Sequence, residues 1–494
     1  MAQVKHLGRY EIPLSYEIRD LHVVPNGEGF LIVTEEKAPD DEASTAKFKY
    51  LNDDFDVVWI DTIPFANRFY VEALDYLEGK NYVLMNDRTG NGFLNILEVD
   101  PQEKTVNRYE QQLFRNIKIT DFIAIQNSVV IAGEIENKPA VFLYDLKAKK
   151  LNTLNNIFQF KGELLEVKRN NDRLSFNVLV SQLDEKNDWT VVVNTYDYQG
   201  SFLRNYQLVT EPFYQLTNGV SSSINEIEQV VVGLYHYKKG TDPSGYYVNH
   251  VGRSGKQTMK YLPFGAFISF FEHEGEEKAK RLRERSLDKT DDQKPFRYNV
   301  DAIINPILER DEKLIVNTQF FKPVKYIDPN SVMAKEGQIA RSTWKPAGLR
   351  EFVKTYTLEF THSFTFEINL KGNLIWDLNT EINTSQSGGL QDFGEFSDDM
   401  SNLMFGHYYN EKLFIHDLRK SKTYYDISLP LLLENDVLKF ENASFGGIKS
   451  WKNNRYLIYG IQHIADKNNP ERLRKVYFVN GIAASSTSRA SRID

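Results

Sequence analysis

The sequence predicts an all-β chain, a single β-propeller of eight four-stranded blades closed by its own N-terminal strand, with one short helical insertion. Three observations carry this. Short strands and turn clusters recur in the same order along the chain, the last repeat lacks a strand that the N-terminus can supply, and Tyr (27) and Phe (32) are abundant, as in half-buried pleated surfaces.

The clearest repeat runs from Thr120 to Asn156. Phe122–Ile125 is an apolar first strand, Gln126-Asn127 turns, Ser128–Gly133 is the second strand, Glu136–Pro139 turns again, Ala140–Leu146 is the third, and Lys150–Leu154 begins a fourth. A later segment matches it in order: Gly133–Asn137 against Gly406–Asn410, then Phe142–Lys147 against Phe414–Arg419, each followed by Lys three residues on. The template places eight second strands, beginning near Gly29, Asn81, Ser128, Arg173, Gln229, Glu312, Met400 and Arg455. The last repeat offers only Phe445–Trp451, Arg455–His463 and Lys475–Ile482. Val4–Leu14 precedes the first repeat as an orphan; as the missing strand it closes the ring and removes open edges. Seven blades, or two separate β domains, are the alternatives the strand count leaves open.

A length of 494 residues would otherwise imply about three domains of roughly 150 residues, but a closed repeat ring can use the whole chain. The domain expected is therefore 1–494, with insertions at 264–296 and 320–354 and a flexible tail at 483–494. Repeated Trp-Asp endings, double-Gly kelch patterns and Asp-boxes are missing, so the likeness is to propellers in general and names no family.

A net charge of −8 argues against a dedicated nucleic-acid binder, which must neutralise phosphates. Without cysteine, the chain has no disulfide, thiolate metal site or thiol nucleophile. No apolar run approaches the roughly 20 residues of a membrane span, and Met1–Lys5 forms no apolar signal core. The expectation is an exported chain, periplasmic or extracellular, with the cytoplasm as the alternative. Oligomeric state is left open.

The longest departures from the repeat are Glu35–Ala46, His236–Gly245, Phe264–Phe296, Phe320–Lys354 and His463–Arg474. They fall on the face carrying the loops between second and third strands and between blades, which makes that the expected working face. Glu276–Lys289 reads as a helix, acidic at its start and basic later, with apolar Ala266–Phe271 as its anchor. Phe320–Lys354 holds seven basic residues against three acidic ones. Lys322, Lys325, Arg341, Lys345, Arg350 and Lys354, with Tyr326 and Trp344, form a candidate surface for a protein partner or an acidic glycan. Both insertions are expected to exchange amide hydrogen faster than the blades.

No phosphate loop, zinc-protease, calcium-loop or serine-elbow motif occurs. The chemistry-bearing residues at second-strand ends are Glu35, Asp87, Glu134, His236, His407 and His463, candidates for a central funnel. No cofactor or metal is expected. The leading reading is a non-enzymatic interaction scaffold or ligand-binding propeller within a larger assembly. The alternative is a carbohydrate-active hydrolase or lyase using those carboxylates or histidines.

Overall fold

The computed structural model describes all residues except 1–2, 15–17, 38–42, 114–116, 137, 156, 158–161, 184–188, 217, 225–227, 241, 326–355, 387–393, 399–402, 410–411, 419–421, 453 and 486–494. Its strands form eight consecutive antiparallel meanders, the eight-bladed β-propeller arrangement, with Glu276–Asp291 as the one α-helix among the described residues. The second strands begin at Gly29, Lys80, Ser128, Ser175, Gln229, Lys313, Leu403 and Arg455, each within three residues of its expected start. Two compact units divide the chain. Residues 1–113 with 389–494 hold blades one, two, seven and eight; residues 114–388 hold blades three to six.

In the terminal unit, Gln3–Pro13 pairs antiparallel with Asn469–Ser485, from Gln3 opposite Ser485 to Pro13 opposite Val476, and completes the last blade. Ile12 packs with Trp451, Leu457, Tyr477 and Val479 of that blade and with Phe30 and Ile32 of the first, so closure is apolar as well as hydrogen-bonded. Phe55, at a left-handed φ of 68°, lays its ring against two glycines of the closing strands. A β-carbon added at Gly8 or Gly481 would lie 2.5 Å from that ring, which explains glycine at both positions. Buried polar bonds add to the seam. Arg9 Nε donates to Glu11 (2.7 Å) and Arg9 Nη2 to Gln462 (2.7 Å), while Arg474 reaches both Glu11 and Asp436, linking all four strands of the blade. Burial pushes the Arg9 guanidinium below its usual pKa, and Glu11 opposes that shift.

The central unit is cored between successive blades. Val130, Leu143, Val167 and Phe176 fill the seam of blades three and four; Leu179, Val193, Val231 and Tyr247 that of four and five; Val232, Tyr246, Phe320 and Phe364 that of five and six. In blades five and six the first strand is broken. Tyr214–Leu216 and Val220–Ser221 both pair with Gln229–Tyr237, and Asp301–Ile304 and Leu308–Arg310 both pair with Lys313–Lys325. Asn218 bridges one break by accepting Leu234 N–H on its side chain (2.7 Å), which satisfies a ladder donor the gap would strand.

Several boundaries differ from the sequence reading. Arg455–Asp466 and Asn469–Ser485 turn tightly at 466–469, so the expected His463–Arg474 loop is a hairpin of unusually long strands. Residues 320–325 belong to the strand Lys313–Lys325, which leaves only the later part of the basic segment outside it. Residues 483–485, read as the start of a tail, end the last strand. Lys138 and Pro139 lie in a strand rather than a turn, because Pro139 sits opposite Glu134 at the mouth of the hairpin. No helix among the described residues is long and apolar enough to cross a membrane.

Candidate functional site

The insertion at 264–296 joins the fourth strand of blade five to the first strand of blade six, and the structure builds it into the core of the central unit. Phe264, Phe267, Phe270, Phe271 and Phe296 are all buried in the seam of these blades. Phe264 and Phe270 stack at 4.1 Å, and Phe270 meets Phe320 and Phe364 edge-on. The carboxylate of Asp377 accepts the amides of Ile268 and Ser269, both at 2.8 Å, and pins the chain between the buried rings. Gly265 lies so close to the helix that a β-carbon there would come within 2.6 Å of the Arg283 carbonyl; Arg283 Nε in turn donates to Gly265 O (3.0 Å). The apolar stretch anticipated as an anchor therefore is one.

The helix itself faces solvent, with Ser286 its one buried residue. Glu276 and Glu277 open it and Lys289 sits in its last turn, the charge order that suits the helix dipole. Ile268, 73% exposed beside its buried neighbours, shows that the insertion 264–296, a strap between blades five and six, also offers apolar surface.

Within the strap, His273 meets His362 of blade six, a pair of histidines that the sequence does not single out. His273 and His362 stack at 3.7 Å, and His362 stacks on Phe320 at 4.7 Å. Asn379 Nδ2 donates to His273 Nδ1 (3.1 Å), which leaves Nε2–H to donate to Tyr298 Oη (2.8 Å). Burial pushes His273 down to about 4 and His362 well below the usual imidazole range, so both are neutral. No sequence signal marks them, because the two are distant along the chain and only the fold of the strap brings them together.

The residues read as funnel candidates all stand near the far ends of second strands, as expected, but most are engaged in packing. In the terminal unit, Glu35 is 1% exposed, accepts Val71 N–H and lies 3.6 Å from Arg88. Asp87 caps its own turn, accepting from Thr89 N and Oγ1 at 2.8 and 2.7 Å. These two acids share the seam of blades one and two. His407 is fully buried against Phe405 and His416, and burial lowers its pKa strongly. His463 is half-buried, between Phe440 and Lys475 in the ladder. In the central unit, Glu134 lies between Lys118 and Pro139 in the ladder, and His236 is buried with Nδ1 2.9 Å from Tyr237 O. Among the described residues no group of three or more His, Asp or Glu is placed to hold a metal ion.

Of the basic partner surface, Lys322 is half-buried near His273 and Glu274, and Lys325 ends its strand. Tyr326, Arg341, Trp344, Lys345, Arg350 and Lys354 lie outside the described residues.

A different polar cluster appears on the first strands of the central unit. Glu166 accepts both N–H and Oγ–H of Ser221 (2.8 and 2.7 Å), and burial raises its carboxyl to about 7. Lys168 Nζ, two residues on, donates to Ser221 O and to Glu309 (both 2.7 Å), spanning blades four to six. The signal is present in the alternation of Gly162–Arg169, where Glu166 and Lys168 share a face of the first strand beside the apolar Leu164, Leu165 and Val167.

No family model and no curated protein matches the chain. In structure it is similar to a europium-containing methanol dehydrogenase, at 8% identity over 97% of this chain and 93% of that one, TM-score 0.46. It is similar also to the β-propeller domain of the trilobed protease from Pyrococcus furiosus, at 8% identity over 84% and 94%, TM-score 0.39. A third likeness is to the polysaccharide lyase Uly1, at 7% identity over 84% and 90%, TM-score 0.43. At these identities and scores the likenesses carry nothing about activity.

Proposed function

We propose that this chain is a non-enzymatic binding propeller, a scaffold within a larger assembly, which docks an acidic protein partner through the strap-bearing end of its central unit. The observation that carries the reading is the strap: its aromatic residues are buried in the blade core while its helix is held out to solvent. A helix fixed before binding loses little conformational entropy on docking. Lys280 and Arg281 on the helix are exposed. The basic segment further along the chain, with Lys322, Lys325, Arg341, Lys345, Arg350 and Lys354, would steer an acidic surface, and Tyr326 and Trp344 would add apolar anchoring.

The test is co-purification of partners on tagged chain, followed by association kinetics with Arg341, Lys345 and Arg350 changed together to Glu. Association should slow about tenfold or more at low salt, and the difference should shrink as salt rises. An unchanged rate at low salt, or a cross-linked footprint on the opposite end of the unit, would overturn the reading. So would turnover of a polysaccharide by the purified chain, the outcome expected of a hydrolase or lyase.

A further inference from the structure

The opposite end of the central unit, where first strands turn into second strands, contains a cavity of about 230 Å³. Its walls come from three blades: Asn171 of blade four; Ser222, Ser223, Glu228 and His250 of blade five; and Glu309–Leu314 of blade six. Pockets for drug-sized ligands run from roughly 300 Å³ upward, so this one fits a single side chain or a small molecule.

The walls are mixed, with Val230, Leu314 and Leu370 beside the polar groups, and hydrogen bonds brace the polar part. Asn171 N donates to Ser223 Oγ (3.1 Å), Ser223 N to Glu309 Oε1 (2.6 Å), and Gln229 Nε2 to Ser222 O (3.0 Å). One residue before this floor, Ser221 is held by Glu166, whose Oε1 is buried with no hydrogen-bond partner. The cations at the cavity are already committed to acids. Lys168 meets Glu309 at 2.7 Å, Lys313 meets Glu367 at 3.2 Å, and Arg310 lies 3.5 Å from Asp311. Glu228 is less closely held, since His250 and Arg253 approach it only to 3.7 and 4.0 Å, beyond hydrogen-bonding distance. Glu312 is exposed at the rim, in a two-residue turn where both Asp311 and Glu312 take left-handed φ of 47° and 59°. Asn-Gly is the usual occupant of such a turn, so two acids here place negative charge at the mouth at a conformational cost.

We infer that this cavity receives a cationic group, an ammonium or guanidinium, with Glu228 and Glu312 supplying the charge and Ser222, Ser223 and Asn171 the rigid polar walls. A small free amine and a lysine or arginine side chain of a partner share this chemistry. The site is separate from the strap and does not depend on how the strap is used.

Binding would be measured by calorimetry and ligand-observed NMR on the full chain with n-butylammonium and n-butylguanidinium. Uncharged n-butanol and anionic butyrate serve as matched controls. The cations should bind, the controls should not, and added salt should weaken binding. Glu228→Gln should weaken it about tenfold, the scale of one lost charge-assisted contact, and Glu312→Gln, at an exposed turn where folding is not at risk, by several-fold. Glu277→Gln, on the helix at the other end of the unit, should change nothing. Spermidine and a terminally blocked lysine- and arginine-containing peptide then separate the sources. Tighter binding of spermidine assigns a free amine, and tighter binding of the peptide assigns a partner's side chain. The inference is overturned if butanol binds as well as butylammonium, if Glu228→Gln and Glu312→Gln both leave affinity unchanged, or if Glu277→Gln weakens binding equally.

Discussion

Replacing Glu11 with alanine would remove the carboxylate that, among the described residues, touches the buried Arg9 guanidinium. The two side chains are 4% and 2% exposed, which places them in the regime of buried rather than surface ion pairs. Without Glu11, Arg9 keeps Gln462 Oε1 at 2.7 Å and Pro430 O at 3.4 Å, both neutral acceptors. Stranding a buried charge in this way costs about 3–5 kcal/mol, whereas an exposed pair is worth about 0–1 kcal/mol. Arg474 loses a partner too, but it retains Asp436 and is 36% exposed, so its share is small. The cost falls on the closing strand, and native-state hydrogen exchange of peptides covering residues 3–13 and 475–485 reads it locally. Protection there should fall by about two to four powers of ten, with little change in blades three to six. The double variant Arg9→Met with Glu11→Leu removes both charges and should lose less protection than Glu11→Ala alone. A loss worth under about 1 kcal/mol for Glu11→Ala, or a double variant worse than either single one, would refute the claim that a buried ion pair holds the seam.

Four further outcomes follow from the same structure. Deleting residues 1–14 should expose the Asn469–Ser485 edge and promote aggregation in light scattering; a monomeric deletion variant with unchanged melting would contradict closure. Gly481→Ala should lower thermal stability by about 1–3 kcal/mol, because its β-carbon meets the Phe55 ring at 2.5 Å, and Phe55→Leu in the same chain should recover part of that. Glu166 has a folded pKa of about 7, above its unfolded value, so its contribution is complete below about pH 4.5 and is lost as pH rises through 7, on the order of 3 kcal/mol; Glu166→Gln should flatten that slope in denaturation midpoints. His273 is depressed to about 4, so the stability of the neutral ring is present above about pH 6.5 and is lost as pH falls toward 4. After correction for intrinsic rates, exchange protection of residues 264–275 should drop over that window and hold steady in His273→Gln.

What could be seen in the chain beforehand was what depends on local pattern. Ser128–Gly133 and Ala140–Leu146 announce themselves because strand period and turn residues are local properties, and the orphan strand was found by counting. The hairpin Arg455–Ser485 reads as a loop in the sequence because its tip, Asp466–Asn469, is polar, while its pairing depends on strand-to-strand register. The anchoring role of Ala266–Phe271 is legible because a run of Phe beside a charged helix needs somewhere to be buried, but the place of burial is not. Phe320 and Phe364 supply that place, and both lie more than forty residues further along the chain.

The site residues were harder for a physical reason. A second strand is sandwiched between its neighbours within its blade, so a charge or imidazole near its end meets adjacent strands before it meets solvent. Glu35 against Val71 N–H and His407 against Phe405 are cases of this. First strands have one free edge, and in the central unit it is there that Glu166, Lys168 and Glu309 link blades four, five and six. The same reasoning explains why the cavity lies where it does. Breaks at 218–219 and 305–307 shorten the first strands of blades five and six, and the turns that follow carry Ser222, Glu228 and Asp311 to the cavity. If those breaks make the cavity, restoring a continuous first strand should close it. Replacing Asn305-Pro306 with Thr-Val, residues that can continue the ladder toward Asn317, should lower butylammonium affinity while Glu228 and Glu312 remain in place. Undiminished affinity in that variant would show that the turn acids act as surface charge and that the broken strand has no part in the site.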